Sequence, residues 1–186
     1  MGRTPPTGRH RLTLASSPST ERPRRPPGAF RYLLRLHFRT IPVMRVLLLG
    51  SNGQLGSDIV RTWDDPDVLV ARATRLHADV TAPDGLRSMM ERNRPDLVIN
   101  TTAFHNLPVC EQDPETCFKV NVIGGWNVAS IAKSLGVPVV QFSTDYVFDG
   151  EKGAPYLEDD ARRAVNVYGA AKIAPEDVAQ IANPEH

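Results

Sequence analysis

The sequence has few cysteines and no long apolar run. Its two cysteines, Cys110 and Cys117, have a spacing that matches neither a redox C-x-x-C pair nor a zinc-binding pair. We therefore expect two reduced, partly buried thiols, no metal site and a cytoplasmic protein. No apolar run reaches the roughly 18 residues of a membrane span, so we expect no membrane partner and no secretory signal.

Lysine is missing from the first 43 residues, which differ in charge from the rest of the chain. Residues 1–43 hold nine arginines and one acid, whereas residues 44–186 hold 13 basic and 20 acidic residues. The first part is also rich in proline, serine and threonine, and it has little apolar surface to bury. We expect a disordered basic extension there. An organellar targeting peptide, a segment that binds an acidic partner and a mis-set start before Met44 are the alternatives.

From Met44 onward, apolar runs alternate with segments of helical periodicity. Strands are predicted at 44–50, 67–72, 96–100 and 137–143. Helices are predicted at 53–63, 81–95, 113–136 and 162–183. Thr81 is the predicted N-cap of the second helix, and Gly124 and Gly125 either weaken the third or let it pack closely. This alternation predicts an α/β fold with a doubly wound parallel sheet, the NAD(P)-binding Rossmann architecture.

Ligands of doubly wound sheets bind at the carboxyl ends of the strands, where Gly50, Arg72, Asn100, Ser143 and Thr144 are predicted to lie. The segment GSNGQLG at 50–56 joins the first strand to the first helix. Its spacing is G-x-x-G-x-x-G, which alone also fits an ordinary glycine-rich connection. In this position it predicts a nucleotide site.

Each glycine of this segment has an expected purpose. Gly50 allows a sharp turn, Gly53 lets the backbone approach a pyrophosphate, and Gly56 lets the helix pack close to the sheet. The free N–H groups at the start of the helix then favour the phosphates.

The second predicted strand ends at Arg72 and is followed by Arg75, in a region where NAD-binding proteins usually carry an acid. Arg72 and Arg75 favour a 2′-phosphate, so we predict NADPH rather than NADH. Two solvated surface arginines are the alternative. Asp79 is better placed to accept a hydrogen bond from an adenine amino group.

Tyr168 and Lys172 are four residues apart on the last predicted helix and share one face. A lysine beside a phenol lowers the pKa of that phenol, so Tyr168 is expected to transfer protons near neutral pH. Thr144 or Ser143, at the end of the fourth strand, offers a hydroxyl for a substrate carbonyl. A Y-x-x-x-K pair alone is common by chance, but the combination is specific.

With these motifs the chain resembles the extended branch of the short-chain dehydrogenase/reductase superfamily. Within it, STDYVFDG (143–150), PYLEDD (155–160) and NVYGAAK (166–172) resemble the dTDP-4-dehydrorhamnose reductase family. The resemblance covers about 44–172. It implies Tyr168 as proton donor, Lys172 as its activator and Thr144 as the third catalytic residue. The implied reaction is hydride transfer from NADPH to C4 of a 4-keto-6-deoxy nucleotide sugar.

The resemblance also implies further contacts. Cofactor contacts are expected from Gly50, Asn52, Gly53, Gln54, Leu55, Gly56, Arg72, Asp79, Val80, Thr102, Ala103, Tyr168 and Lys172. Substrate contacts are expected from Phe104, Ser143, Asp145 and Tyr146. We expect no nucleic-acid partner, and we leave a homodimer open.

Two features depart from the family pattern. Pro175 falls inside the last helix, where a proline costs about 3 kcal/mol and kinks the chain, and Pro108 replaces a common acid. The family continues for roughly a hundred residues more, so residues 44–186 are expected to lack the C-terminal substrate domain. A non-catalytic nucleotide-binding or regulatory fragment and a sugar-nucleotide epimerase or dehydratase are the alternatives.

Overall fold

Four parallel strands form the centre of the fold in a computed structural model, which describes residues 43–182. They are β1 (Met44–Leu49), β2 (Val68–Ala73), β3 (Leu97–Asn100) and β4 (Val139–Gln141). Their order in the sheet is β2-β1-β3-β4, and every neighbouring pair is parallel. The predicted fold class is confirmed, as is each predicted strand. The basic extension predicted for 1–43 lies outside the described residues, apart from Val43.

Six α-helices surround the sheet within residues 43–182. They are α1 (Gln54–Thr62), α2 (Pro83–Asn93), α3 (Leu107–Gln112), α4 (Pro114–Phe118), α5 (Gly124–Ser134) and α6 (Val167–Ala182). The sequence did not predict α3, which begins after Asn106, whose side chain accepts a hydrogen bond from the backbone N–H of Val109. In this described part of the chain, no helix has both the length and the apolar character needed to cross a membrane.

The long helix predicted at 113–136 is interrupted. Residues 119–123 form a π-helical turn between α4 and α5. Such turns carry one residue more than the regular helix and occur often at functional sites.

The strand β1 is buried on both faces, which explains its unbroken apolar sequence. Leu47 and Leu49 belong to a cluster on the side of α2 and α5, whereas Val46 and Leu48 face the opposite side with residues of α1. Because β1 is buried within the sheet, its end fixes the position at which the glycine loop begins.

Two glycines let α5 approach its neighbours closely. A Cβ atom on Gly124 would lie 2.7 Å from Cγ2 of Val80, and one on Gly125 would lie 3.3 Å from Cβ of Pro175. The close-packing alternative is therefore the one that the structure supports. Helix α6 runs through Pro175 without ending, and this proline packs in the space that Gly125 leaves.

Two predicted helix starts are wrong. The N-cap of α2 is Ala82, without a side-chain hydrogen bond; Thr81 lies one residue earlier, and its hydroxyl donates to Asp79. Helix α6 begins at Val167 and not at 162, since the side chain of Asn166 accepts from the N–H of Gly169 at 2.6 Å.

Candidate functional site

A cleft of about 540 Å³ opens at the carboxyl edge of the sheet. The ends of β1, β3 and β4 contribute to it, together with the first turn of α1 and the first turns of α6. Its size falls within the usual range for small-molecule sites. The position agrees with the expectation for a doubly wound sheet.

The glycine loop forms the tight turn at one end of the cleft. Gly50 has a φ of +79°, and a Cβ atom there would lie 2.8 Å from Oγ1 of Thr101. The backbone N–H groups of Gly50 and Ser51 both donate to the carbonyl of Ala73, at 2.9 and 3.1 Å. A Cβ atom on Gly56 would lie only 2.3 Å from the Gly50 oxygen. Only glycine fits at both positions, so the loop is held against the strand ends.

The first turn of α1 is suited to an anion. Its N-cap is Gly53, which has no side chain to satisfy the first N–H groups, and no acid lies in the first turn. Those N–H groups and the partial positive charge of the helix end remain available to a phosphate.

A carboxylate and an arginine lie beside the glycine loop. Oδ1 of Asp79 accepts from the N–H and the hydroxyl of Thr81, at 2.9 and 2.7 Å, while Oδ2 accepts from Nε of Arg75 at 3.1 Å. The Thr81 hydrogen bonds, more than Arg75, lower the pKa of Asp79. Arg75 lines the cleft, whereas Arg72 is exposed and does not.

Side-chain amides fix the loop that follows β3. Asn100 is buried, donates to Gln141 at 2.9 Å, and accepts from the N–H and hydroxyl of Thr102. Asn121, in the π-helical turn, accepts from the N–H of Phe104 at 3.0 Å and donates to its carbonyl at 2.9 Å. These side-chain hydrogen bonds hold the loop after β3 in one position, where the backbone is no longer part of a strand.

Tyr168 and Lys172 lie together in the opposite end of the cleft, on α6. Lys172 is 3% exposed, and its ammonium donates to the carbonyl of Phe142 at 2.6 Å. Burial lowers the pKa of Lys172, an effect that Glu176 partly offsets.

Burial also raises the pKa of Tyr168, with smaller contributions from Cys110, Cys117 and Asp145. The expectation that Lys172 lowers this pKa is therefore not met in the described structure. The reason is that Tyr168 packs against apolar side chains and two thiols, and that Lys172 is held by a backbone carbonyl.

Both cysteines are free and fully buried in the cluster that contacts Tyr168. The prediction of free thiols is confirmed, although they are more buried than expected. Burial raises the pKa of Cys110 to about 12, helped by the neighbouring Cys117 thiol.

The turn after β4 carries the remaining predicted side chains. Ser143 lines the cleft, and its hydroxyl donates to Glu176. The Thr144 hydroxyl donates to Asp145 at 3.2 Å and accepts from the N–H of Tyr146 at 3.3 Å. Thr144, Asp145 and Tyr146 do not line the cleft.

The ring of Tyr146 nevertheless stands edge-on to Tyr168, with centroids 6.4 Å apart. The turn therefore borders the cleft.

Most residues predicted to contact the cofactor do line the cleft. They are Gly50, Asn52, Gly53, Gln54, Leu55, Asp79, Val80, Thr102, Ala103, Tyr168 and Lys172. Of the predicted substrate contacts, Phe104 and Ser143 line it as well. Sequence reasoning missed Asp58, Ala78, Thr101, His105, Val120 and Phe142. Thr101 was detectable, because it directly follows the strand predicted at 96–100. Phe142 falls inside the strand predicted at 137–143, whereas the observed β4 ends one residue before it.

The model of one protein family, described as the RmlD substrate binding domain, matches residues 44–186. A dTDP-4-dehydrorhamnose reductase of Sinorhizobium fredii is 35% identical over 143 residues, which cover 77% of this chain and 48% of that protein. The Escherichia coli protein of the same name is 34% identical over 140 residues, covering 74% and 47%. The chain thus spans about half the length of the curated relatives it matches.

Solved structures agree with these matches. A dTDP-4-dehydrorhamnose reductase from Clostridium acetobutylicum superposes with a TM-score of 0.73 at 34% identity, covering 76% of this chain and 51% of that one. One from Bacillus anthracis, determined in complex with NADP, has a TM-score of 0.73 at 28% identity, with 75% and 50% covered. A UDP-glucose 4-epimerase from Thermus thermophilus, in complex with NAD, has a TM-score of 0.68 at 26% identity, with 74% and 50% covered.

Proposed function

The chain belongs to the RmlD substrate binding domain family, and from that premise we propose that it supplies the nucleotide-binding and proton-donating part of an NADP(H)-dependent reductase. The substrate is a 4-keto-6-deoxy nucleotide sugar, as the names of the relatives suggest. The observation that carries the proposal is one cleft that joins a glycine loop to a buried tyrosine and lysine.

The residues at the glycine end fit a dinucleotide. A Cβ atom at Gly50 or Gly56 would collide with Thr101 or with the Gly50 carbonyl, so the loop keeps its backbone open toward the cleft. The uncapped start of α1 would hold the pyrophosphate through Gln54 and Leu55. A bound NADPH supplies a hydride.

Tyr168 donates the proton in this proposal. A tyrosine phenol is protonated at neutral pH, which is the form that a carbonyl reduction requires, and burial holds the pKa of Tyr168 above its ordinary value. The Oη–H bond breaks as the substrate oxygen takes the proton, and the cleft favours the neutral acid until then.

Lys172 supports that acid from a fixed position. Its ammonium is tied to the carbonyl of Phe142, which anchors α6 to the end of β4. Thr144 is proposed as the third member, although its hydroxyl is engaged by Asp145 and Tyr146 in this structure. Asp145 and Tyr146 would form the rim on the substrate side.

Removal of the Tyr168 hydroxyl tests the proposal. We expect the chain to bind NADPH, and to oxidise it, followed by absorbance, when a dTDP-linked 4-keto-6-deoxy sugar is added together with the separately produced second half of a relative such as the Escherichia coli protein. Tyr168→Phe should lower the rate by about 10²-fold or more, since general acid catalysis contributes 10²–10⁴-fold, while NADPH binding persists.

The matched control is Tyr156→Phe, which removes a phenol that stacks on Phe148 and donates to Asp149 away from the cleft. It should keep the rate of the parent chain. Equal rates for Tyr168→Phe and the parent chain contradict the mechanism. Binding of NADPH without turnover in the parent chain would instead favour a non-catalytic nucleotide-binding role.

We also propose a cytoplasmic setting, which the two free and buried thiols support. A homodimer remains a hypothesis that a measurement of molar mass in solution decides.

A further inference from the structure

The structure separates two arginines that the sequence treats alike. Arg72 lies on β2, in register with Leu48, and alternation along the strand places it on the face of Val68 and Val70. It is exposed and outside the cleft. Arg75 lies in the turn after β2 and lines the cleft beside Asp79.

A hydrogen bond at one of its three nitrogens orients the guanidinium of Arg75, and the other two nitrogens are free. Nε donates to Oδ2 of Asp79 at 3.1 Å, and Asp79 is itself held by Thr81. Neither Nη group of Arg75 has a hydrogen-bond partner among residues 43–182. The side chain is 83% exposed. It therefore offers a planar pair of N–H groups to an incoming anion at little cost in lost contacts.

The charges around the cleft leave Arg75 as the cation accessible to a ligand. Asp58 is paired with Arg61 at 2.5 Å, and Asp79 is paired with Arg75. Lys172, the other lysine or arginine along the cleft, is buried at the opposite end and bound to Phe142. A phosphate beside Asp79 would thus meet Arg75 and no unpaired carboxylate among the lining residues.

We propose that Arg75, and not Arg72, makes the cleft prefer a 2′-phosphorylated adenosine, the group that distinguishes NADPH from NADH. The inference rests on the nucleotide site of the proposed function. It goes further by assigning the cofactor preference to Arg75 alone, although Arg72 on β2 lies only three residues earlier.

Binding of two small nucleotides tests the assignment without any turnover. The full chain is titrated calorimetrically with 2′,5′-ADP and with 5′-ADP at low ionic strength, where charge effects are least screened. A hydrogen-bonded charge pair is worth enough to predict a preference of roughly 10- to 100-fold for 2′,5′-ADP. Arg75→Gln should reduce that preference to about twofold while leaving the affinity for 5′-ADP unchanged.

The matched control is Arg72→Gln, which makes the same change of charge three residues away. It should keep the full preference, and both variants should melt at the temperature of the parent chain because both side chains are exposed. A preference that survives Arg75→Gln, or that disappears in Arg72→Gln, overturns the assignment. Failure of the parent chain to bind either nucleotide would overturn the proposed nucleotide site itself, whereas equal binding of both overturns only the role of Arg75.

Discussion

The two ends of the cleft treat charge in opposite ways. At the glycine end, hydrogen bonds from Thr81 and Arg75 lower the pKa of Asp79 and so stabilise its ionised form. At the α6 end, burial lowers the pKa of Lys172 and raises that of Tyr168, so both neutral forms are favoured. The glycine end thus favours the charged form of its carboxylate, and the α6 end favours the neutral forms of its tyrosine and lysine.

The two ends also differ in how the chain assembles them. The glycine loop comes from consecutive residues, 50–56, and depends on backbone positions that have no room for a side chain. The α6 end depends on contacts between distant segments, such as Lys172 with Phe142 and Glu176 with Ser143. A local motif therefore specifies the first end, whereas tertiary packing specifies the second.

The largest expected effect is at the glycine end. Gly56→Ala places a Cβ atom 2.3 Å from the Gly50 oxygen and 2.8 Å from Cα of Ser51, and both are backbone atoms tied to β2. We expect a loss of about 1–3 kcal/mol in the free energy of unfolding, as for other overpacked sites, together with loss of 5′-ADP binding. Urea unfolding and calorimetry measure the two effects.

The control for this change is Gly85→Ala in α2, where a Cβ atom meets nothing within 4 Å. It should cost no stability, because Gly85 lies in the first turn of α2 and alanine is favoured over glycine in a helix by at most about 1 kcal/mol. Equal effects of the two substitutions would show that steric crowding at Gly56 is not the cause.

A smaller effect is expected at the other end. Gly169→Ala places a Cβ atom 2.2 Å from the carbonyl oxygen of Tyr146, a backbone atom, so the turn or α6 must move. We expect a loss of about 1–3 kcal/mol in the free energy of unfolding and a displaced Tyr168; the effect is smaller than that of Gly56→Ala because 5′-ADP binding is retained. Loss of 5′-ADP binding in this variant would contradict the independence of the two ends.

The smallest effect is a pH dependence from Lys172. Its pKa is lowered by burial from 10.5 in the unfolded chain. Between the folded and unfolded values the unfolded chain binds more protons, so the free energy of unfolding rises with pH there and falls again as pH decreases. Lys172→Met should lack this rise when urea unfolding is followed from about pH 8 to 10, below the range in which Tyr168 ionises.

A constant difference between the parent chain and Lys172→Met over that interval would mean that the folded site does not disfavour the charged lysine.

The sequence predicted what depends on local pattern. Apolar runs identified all four strands, and the glycine spacing after β1 located the loop at the cleft. The sequence could not show which of the two arginines, Arg72 or Arg75, lines the cleft, because the face on which each side chain lies depends on where β2 ends. The sequence also could not predict the direction in which the pKa of Tyr168 shifts, because burial by residues distant in the chain outweighs the effect of Lys172, four positions away.

Two helix boundaries were also predicted wrongly from the sequence, because contacts of individual side chains decide them. Thr81 fits the pattern of an N-cap, yet α2 begins one residue later than that pattern predicts, and Thr81 binds Asp79 through its N–H and its hydroxyl. The interruption of the helix predicted at 113–136 leaves no apolar signature, because the apolar spacing continues through it.

The π-helical turn at 119–123 sets the rotational phase of α5. A regular helix advances about 100° per residue, so the additional residue lets Asn121 face Phe104 while Gly124 faces Val80 and Gly125 faces Pro175. Shortening this turn by one residue would restore an uninterrupted helix and rotate every later side chain of α5 by that angle. The π-helical turn therefore determines which residues of α5 face α6.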